Sequence, residues 1–393
     1  MARRAAKGFE RAWRHCLLRV PDGADLDCEG ARELVPRFIE ASTLAEDLPR
    51  QVLAYLVAQD PRWRIPASAP ATAQIEEGLR SAAENGEQQG QNASRDNPAP
   101  AALVAASYAR LALGEVEHAE QDRARLSRSH QQTHGTEIAL VSVSIAKHHI
   151  DHQHYQRALL QLPAGSPPDD STPLRLRVLW YGTRARALLG AGNPIPAERE
   201  AQRVVQWWEA ETNPTSAVGG AAPAPMEGRE AVVDAVGVAR FVLAEARARS
   251  VTRLGPPRFA GPPTHEGAAR FLDTQVRQWA EKKQQALLAV ADELDKLRSI
   301  QPVPPVRWMV AGQTRLGELR ADFADQLLSI SLPEKLAANA SERQAFERAL
   351  SGSAQPVLAG AKQAFATCVD LSRDQPALAT QQEYCKERKN ALP

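Results

Sequence analysis

The histidines and cysteines are the residues of this sequence whose type and spacing could do chemistry. Seven of nine histidines fall between His118 and His154, four of them in the run HHIDHQH as His148, His149, His152 and His154. On a continuous helix His148 and His152 lie one turn apart on one face, as do His130 and His134. That spacing chelates Zn²⁺ or Ni²⁺, and Asp151 could add a carboxylate. The repeat register described below puts Asp151 to His154 in a turn between two helices instead. The expectation is therefore a set of partly solvated histidines with no bound metal and no cofactor. A periplasmic metal-handling protein using the His148–His154 cluster, with His148 and His152 as ligands, is the alternative.

The four cysteines form two local pairs, Cys16 with Cys28 and Cys368 with Cys385. Even number and close pairing predict two hairpin-stapling disulfides in an oxidising compartment, each worth about 3 kcal/mol. Neither pair has the CxxC spacing of a zinc site. His265 and Glu266 begin like HExxH, but Gly267, Ala268 and Ala269 supply no second histidine. GxSxG and P-loop patterns are absent from the sequence, and carboxylates sit near basic residues at helical spacing, as in Asp292 with Lys296. These observations nominate no catalytic residue and no small-molecule substrate, and the expectation is a non-enzymatic protein.

The elements that position these residues follow from an internal repeat. Ala119, Ala158 and Ala197 are 39 residues apart, and twelve residues before each stands another small residue, Ser107, Ala146 or Ala185. Gly114 and Gly192 occupy the same offset in the first and third copies. In the tetratricopeptide pattern, small residues at these places let two helices of one hairpin touch. The register predicts degenerate helical hairpins over residues 98–211, with longer turns such as Pro163 to Pro173 accounting for the long period. Positions lining the concave side of such an array include Tyr108, Val143, Lys147, Ile150, Arg186 and Leu189. Lys147 and Arg186 beside Tyr108 and aliphatic walls would grip a carboxylate on an extended partner segment.

Around the array, residues 1–78 read as a helical region, 79–97 as a flexible linker with no apolar residue beyond alanine from Glu84 onward, and 212–228 as a second, Gly/Pro/Ala-rich linker. Residues 229–393 read as a helical module. Within it, apolar positions from Leu272 to Leu297 and from Val310 to Ile330 form the facing stripes of a long antiparallel hairpin, with Pro302, Pro304 and Pro305 at the turn. Ser341 with Gln344 resembles a capping box opening the next helix. Alanine and arginine abound while Tyr, Phe and Ile are scarce, so the class is all-α. Lys plus Arg (48) balances Asp plus Glu (47), which leaves no field to attract nucleic acid. No stretch approaches the roughly 20 apolar residues of a membrane span.

The runs FLDTQVRQWAEKKQQALLAVADELDKL and VRWMVAGQTRLGELRADFADQLLSISLP, with the later AKQAFATCVDLSRDQPALATQQEYCKERKNAL, carry a resemblance. They are similar to the C-terminal helical module of large tetratricopeptide-repeat proteins of myxobacteria and related delta-proteobacteria, a group that includes envelope components of the gliding-motility machinery. The matching positions are Trp308, Gly317, Phe323, Ala324, Leu327, Pro333, Cys368 and Cys385. The resemblance implies a scaffold that holds other proteins in the periplasm or at the outer membrane. Such proteins begin with a signal or lipoprotein sequence, whereas MARRAAKG is basic with no apolar region behind it. A cytoplasmic adaptor with reduced thiols is the other expectation.

Overall fold

The computed structural model describes residues 99–130, 134–164, 172–212, 229–301, 304–373, 375 and 378–393, together with 77, 80, 81, 83–88 and 90. The expected helical region of residues 1–78 apart from residue 77, the Cys16–Cys28 bridge and most of the 212–228 linker lie outside them. Every regular element is helical, and no strand occurs among the described residues. The chain divides into two units, Met1–Val236 and Gly237–Pro393.

The first unit contains three helical hairpins: α1 (Ala99–Ala112) with α2 (Val116–His130), α3 (Gly135–Asp151) with α4 (Tyr155–Gln161), and α5 (Leu174–Gly190) with α6 (Pro194–Thr212). Within each hairpin the two helices pack together. Helix α3 also packs on α1 and α2, and α5 packs on α3 and α4. Ser107, Ala119, Ala146, Ala158, Ala185 and Ala197 have no exposed surface at all. The Ser107 hydroxyl donates to the Leu103 carbonyl at 2.9 Å, so its burial leaves no polar atom unpaired.

The hairpin turns repeat bond for bond. Gly114 N–H donates to Leu111 O (3.1 Å) and Glu115 N–H to Arg110 O (2.8 Å). In the second copy Gln153 donates to Ile150 O (3.0 Å) and His154 to His149 O (2.7 Å), and in the third Gly192 donates to Leu189 O (3.1 Å) and Asn193 to Leu188 O (2.8 Å). Each pair is a Schellman closure, which needs a left-handed residue just beyond the helix end. That residue is Gly114 (φ 75°), Gln153 (φ 61°) and Gly192 (φ 77°), again 39 residues apart. Only the middle copy bears a side chain there. The long period has two sources: α2 has 15 residues, and α4 has only 7 but is followed by a long connection to α5.

The flexible linker expected over 79–97 is corrected by its described positions. Residues 83–88 are helical, and Ala83 is fully buried. A Cβ on Gly86 would stand 2.9 Å from the Ala102 carbonyl oxygen, and one on Gly90 would stand 2.6 Å from Leu103 Cγ. Small residues bury this helix by letting α1 approach its backbone. The Arg110 guanidinium, 6 % exposed, ties it down through Glu87 (2.8 Å) and also pairs with Glu115.

Helix α7 (Arg229–Arg253) contains the boundary between the units. In the second unit α8 (His265–Phe271) is capped by Thr264, whose hydroxyl accepts from Gly267 N–H at 3.1 Å. A π-helical segment at Leu272–Val276 leads into α9 (Arg277–Asp295), and a 3₁₀ turn, Lys296–Ser299, ends it. Helix α10 (Val306–Leu328) then packs against α9, as the paired stripes require. Trp279 meets Phe323 edge to face at 5.4 Å between the helices. After the short α11 (Glu334–Ala337), α12 (Ala340–Ser372) makes the most extensive contact of the unit, with α10. Gly317 permits it: a Cβ there would stand 2.8 Å from the Phe365 ring. The cap of α12 is Asn339, accepting from Ser341 and Glu342 N–H, so the expected capping box at Ser341 is displaced by two residues.

Helix α13 (Ala379–Ala391) is held to α12 by the Cys368–Cys385 disulfide, as expected. Thr314 of α10 packs beneath it, its hydroxyl 3.4 Å from Cys368 Sγ and 3.2 Å from Cys385 Sγ. No helix among the described residues is long and apolar enough to cross a membrane.

A left-handed glutamine costs roughly 1 kcal/mol that glycine does not. Gln153→Gly is therefore expected to raise chemical-denaturation stability by about 0.5–1 kcal/mol, and Gly114→Ala or Gly192→Ala to lower it by about 1 kcal/mol.

Candidate functional site

The face built from the first helices of the hairpins is the surface the sequence nominates. Its register sets Val104, Tyr108 and Leu111 of α1 beside Val143, Lys147 and Ile150 of α3, and those beside Gly182, Arg186 and Leu189 of α5. Val143 is buried, so it belongs to the core and not to an open groove, a correction to the expected lining. Tyr108 is half-buried, packed with Val104 and Leu111 on Val116, Ala119, Val141 and Ile145. Burial raises its phenol pKa, opposed by a hydrogen bond with Ser144 and the charge of Arg175. Ile150, Arg186 and Leu189 are half-buried.

The expected cationic pair is not open either. Lys147 Nζ lies 4.0 Å from Asp234 Oδ2, on the first turns of α7. One residue further on, Ala235 lies against α5: a Cβ added to Gly182 would stand 3.0 Å from both Ala235 Cβ and Ala235 O. Val232, Ala235 and Val236 are each at most 2 % exposed. The chain's own helix thus covers this face at its second and third hairpins. Sequence reading assigned α7 to the C-terminal module and missed this. The available signal was the run AVVDAVGVA at residues 231–239, whose one charged residue is Asp234 and which is too apolar to leave a whole face in solvent.

The histidines divide into two kinds. His148, His152 and His154 are partly or fully solvated, as the turn register predicts. The rings of His148 and His152 stack with centroids 4.3 Å apart and planes inclined by 28°. Imidazole lone pairs lie in the ring plane, so stacked faces do not converge on one ion. His152 Nδ1 is 2.9 Å from the His148 carbonyl, and His148 is held below its ordinary pKa by burial, then by the charges of His152 and His149. Among the described residues no three His, Cys, Asp or Glu side chains gather as a metal site.

His149 is the exception, with no exposed surface. Its Nε2 lies 2.8 Å from Glu120 Oε1, which also accepts from Gln161 Nε2 at 2.8 Å. The carboxylate can only accept when ionised, so Nε2 carries the proton. This three-residue contact joins α2, α3 and α4 beneath the Gln153 turn and is a structural staple. His265 pairs with Glu342 at 2.7 Å, which raises its pKa, and takes no part in a metal motif.

The buried charges of both units have structural partners. Glu293, 1 % exposed, receives Arg240 (2.8 Å), Arg247 (2.9 Å) and Lys296 (3.0 Å). Burial raises its pKa, but those cations outweigh burial and leave it low. Lys283 has no exposed surface; its Nζ donates to Leu254 O (3.0 Å) and Gln326 Oε1 (2.6 Å) and stands 5.5 Å from the Trp279 ring centroid. Desolvation lowers its pKa. Asp122 is the least compensated: it is 1 % exposed, and Arg125 reaches one oxygen at 3.2 Å. Burial and then the charge of Glu87 push it up to about 7.

No family model, curated protein or solved structure matches this chain.

Two outcomes follow from this geometry. Gly182→Val drives a branched side chain into Ala235 and is expected to cost about 1–3 kcal/mol by thermal or chemical unfolding. Asp122 holds a proton in the folded state that the unfolded chain releases at lower pH. Its contribution is therefore present in full below the ordinary carboxylate range and is lost as pH rises toward 7, by up to about 1.4 kcal/mol per pH unit. Asp122→Asn should flatten the pH dependence between 4 and 7, measured as the difference from the parent, and should be the more stable protein at pH 8.

Proposed function

We propose that the chain is a non-enzymatic protein-interaction scaffold of a bacterial cell-envelope assembly related to surface motility, built on a tetratricopeptide-like solenoid of degenerate hairpins. The observation that carries this reading is the threefold recurrence of one hairpin. Buried small residues and Schellman turns return every 39 residues, and each hairpin packs on the one before. Stacks of this kind expose long faces and few enclosed pockets, and they serve as docking surfaces. The partners of such a surface are other proteins, with no role for nucleic acid.

The setting rests on two supports: the Cys368–Cys385 disulfide suits an oxidising compartment, and the last third resembles envelope modules of myxobacterial repeat proteins. The periplasm or the outer-membrane surface accommodates both. Because α7 covers part of the first-helix face, docking is assigned to the second helices. Among the described residues of the first unit, these carry the two most exposed large apolar side chains, Leu160 (74 %) and Ile195 (60 %).

The test is the size of the native particle in gently solubilised envelopes of the source organism. The parent chain is expected to fractionate well above its own 42.8 kDa. Leu160→Glu with Ile195→Glu, which leaves the melting curve unchanged, is expected to return it toward monomer size. A parent chain already at monomer size would contradict the scaffold, and an undisturbed large particle in the double variant would contradict the assigned surface.

A further inference from the structure

Helices α9, α10 and α12 enclose a cleft of about 560 Å³ within the second unit, a size suited to one small ligand. Phe323 and Leu327 of α10 with Pro356 and Val357 of α12 give it an apolar lining. Arg320 is its only cation, and Gln284, Gln285 and Ser353 supply neutral polar groups.

Arg320 is set there by a missing side chain. A Cβ on Gly360 would stand 3.3 Å from Arg320 Cδ, so the glycine lets the arginine lie along α12 and donate from Nη1 to the Gly360 carbonyl at 2.9 Å. That bond uses one of five guanidinium N–H groups. Glu281 also borders the cleft but makes no hydrogen bond or ion pair with Arg320, and Asp295 pairs with Arg298 at 3.7 Å. The result is a half-buried guanidinium beside an apolar pocket, satisfied by one neutral carbonyl. Its pKa is lowered by desolvation, with Asp295 opposing only at a distance. Glu293 of the same unit, by contrast, is met by three cations. A guanidinium with free donors beside apolar walls is the arrangement that recognises a carboxylate on an apolar body, by paired, charge-assisted hydrogen bonds.

We propose that this cleft binds an amphiphilic monocarboxylate, with the carboxylate on Arg320 and the aliphatic body against Phe323, Leu327, Pro356 and Val357. This goes beyond the scaffold reading and does not depend on it, because every residue invoked belongs to the second unit.

Titration calorimetry on the full chain with dodecanoate below its micelle concentration tests the proposal, with dodecanol and dodecyltrimethylammonium as probes of equal apolar length. Saturable binding of one dodecanoate is expected, with the alcohol and the cation at least about tenfold weaker, equivalent to about 1.4 kcal/mol. Arg320→Gln should lose at least the same factor for dodecanoate and nothing for dodecanol. Val357→Trp, which fills the apolar side and leaves Arg320 in place, should abolish binding of all three. No saturable binding to the parent chain, equal affinity for dodecanol and dodecanoate, or undiminished binding by Arg320→Gln would each overturn the proposal. The head-group comparison uses the parent protein alone and so decides the matter even if a variant fails to fold.

Discussion

Close approach of paired helices at residues too small to hold them apart is the constraint from which the first unit is built. Ser107, Ala146 and Ala185 on the first helices and Ala119, Ala158 and Ala197 on the second have no exposed surface, and each set recurs at one place in the hairpin. Alanine contributes little apolar area by itself. Its value lies in letting backbones and longer neighbours such as Val141 and Ile145 close up to native packing density. The same device recurs elsewhere: Gly86 lies against α1, Gly182 against α7, and Gly317 under Phe365.

The turns convert that local contact into a regular array. Two carbonyls at the end of each first helix are satisfied by the Schellman closure, and the second helix starts four residues after the first ends, at Val116, Tyr155 and Pro194. Glycine meets the left-handed requirement without strain in the first and third copies. In the middle copy Gln153 meets it, and the buried contact of His149 with Glu120 and Gln161 sits beneath that turn. We interpret this staple as the packing that holds an otherwise unfavourable backbone in place. His149, the neighbour of the His148 that sequence spacing offers to a metal, thus serves as a bolt between three helices.

The parts of this architecture that were legible in the sequence are those encoded by steric periodicity. The alanine register placed the three crossings and the Asp151 to His154 turn, the apolar stripes placed the α9–α10 pair, and proximity paired Cys368 with Cys385. What escaped was set by long-range contact. Residues 83–88 looked like linker because they hold no large apolar residue, yet glycine and alanine bury a helix when the partner backbone comes close enough. The Lys147 and Arg186 face looked open because nothing local indicates that Asp234 and Ala235, far along the chain, lie on it. Val143 was read as lining when burial makes it core. Arg320 gave no signal at all, since a lone arginine on a charged helix becomes distinctive only once Gly360 is seen beneath it.

If the hairpins are a single design used three times, the hydrogen bonds that close them must be present together in solution. Site-resolved amide exchange of Glu115, His154 and Asn193, the donors of the three six-residue closures, tests this most directly. The account predicts that all three are protected well above the rate of an unstructured chain, with His154 protected despite its non-glycine neighbour. Exchange of His154 at the unstructured rate while the other two stay slow would show that the middle hairpin is not built like its neighbours, and the repeat on which the fold and its proposed role rest would fail.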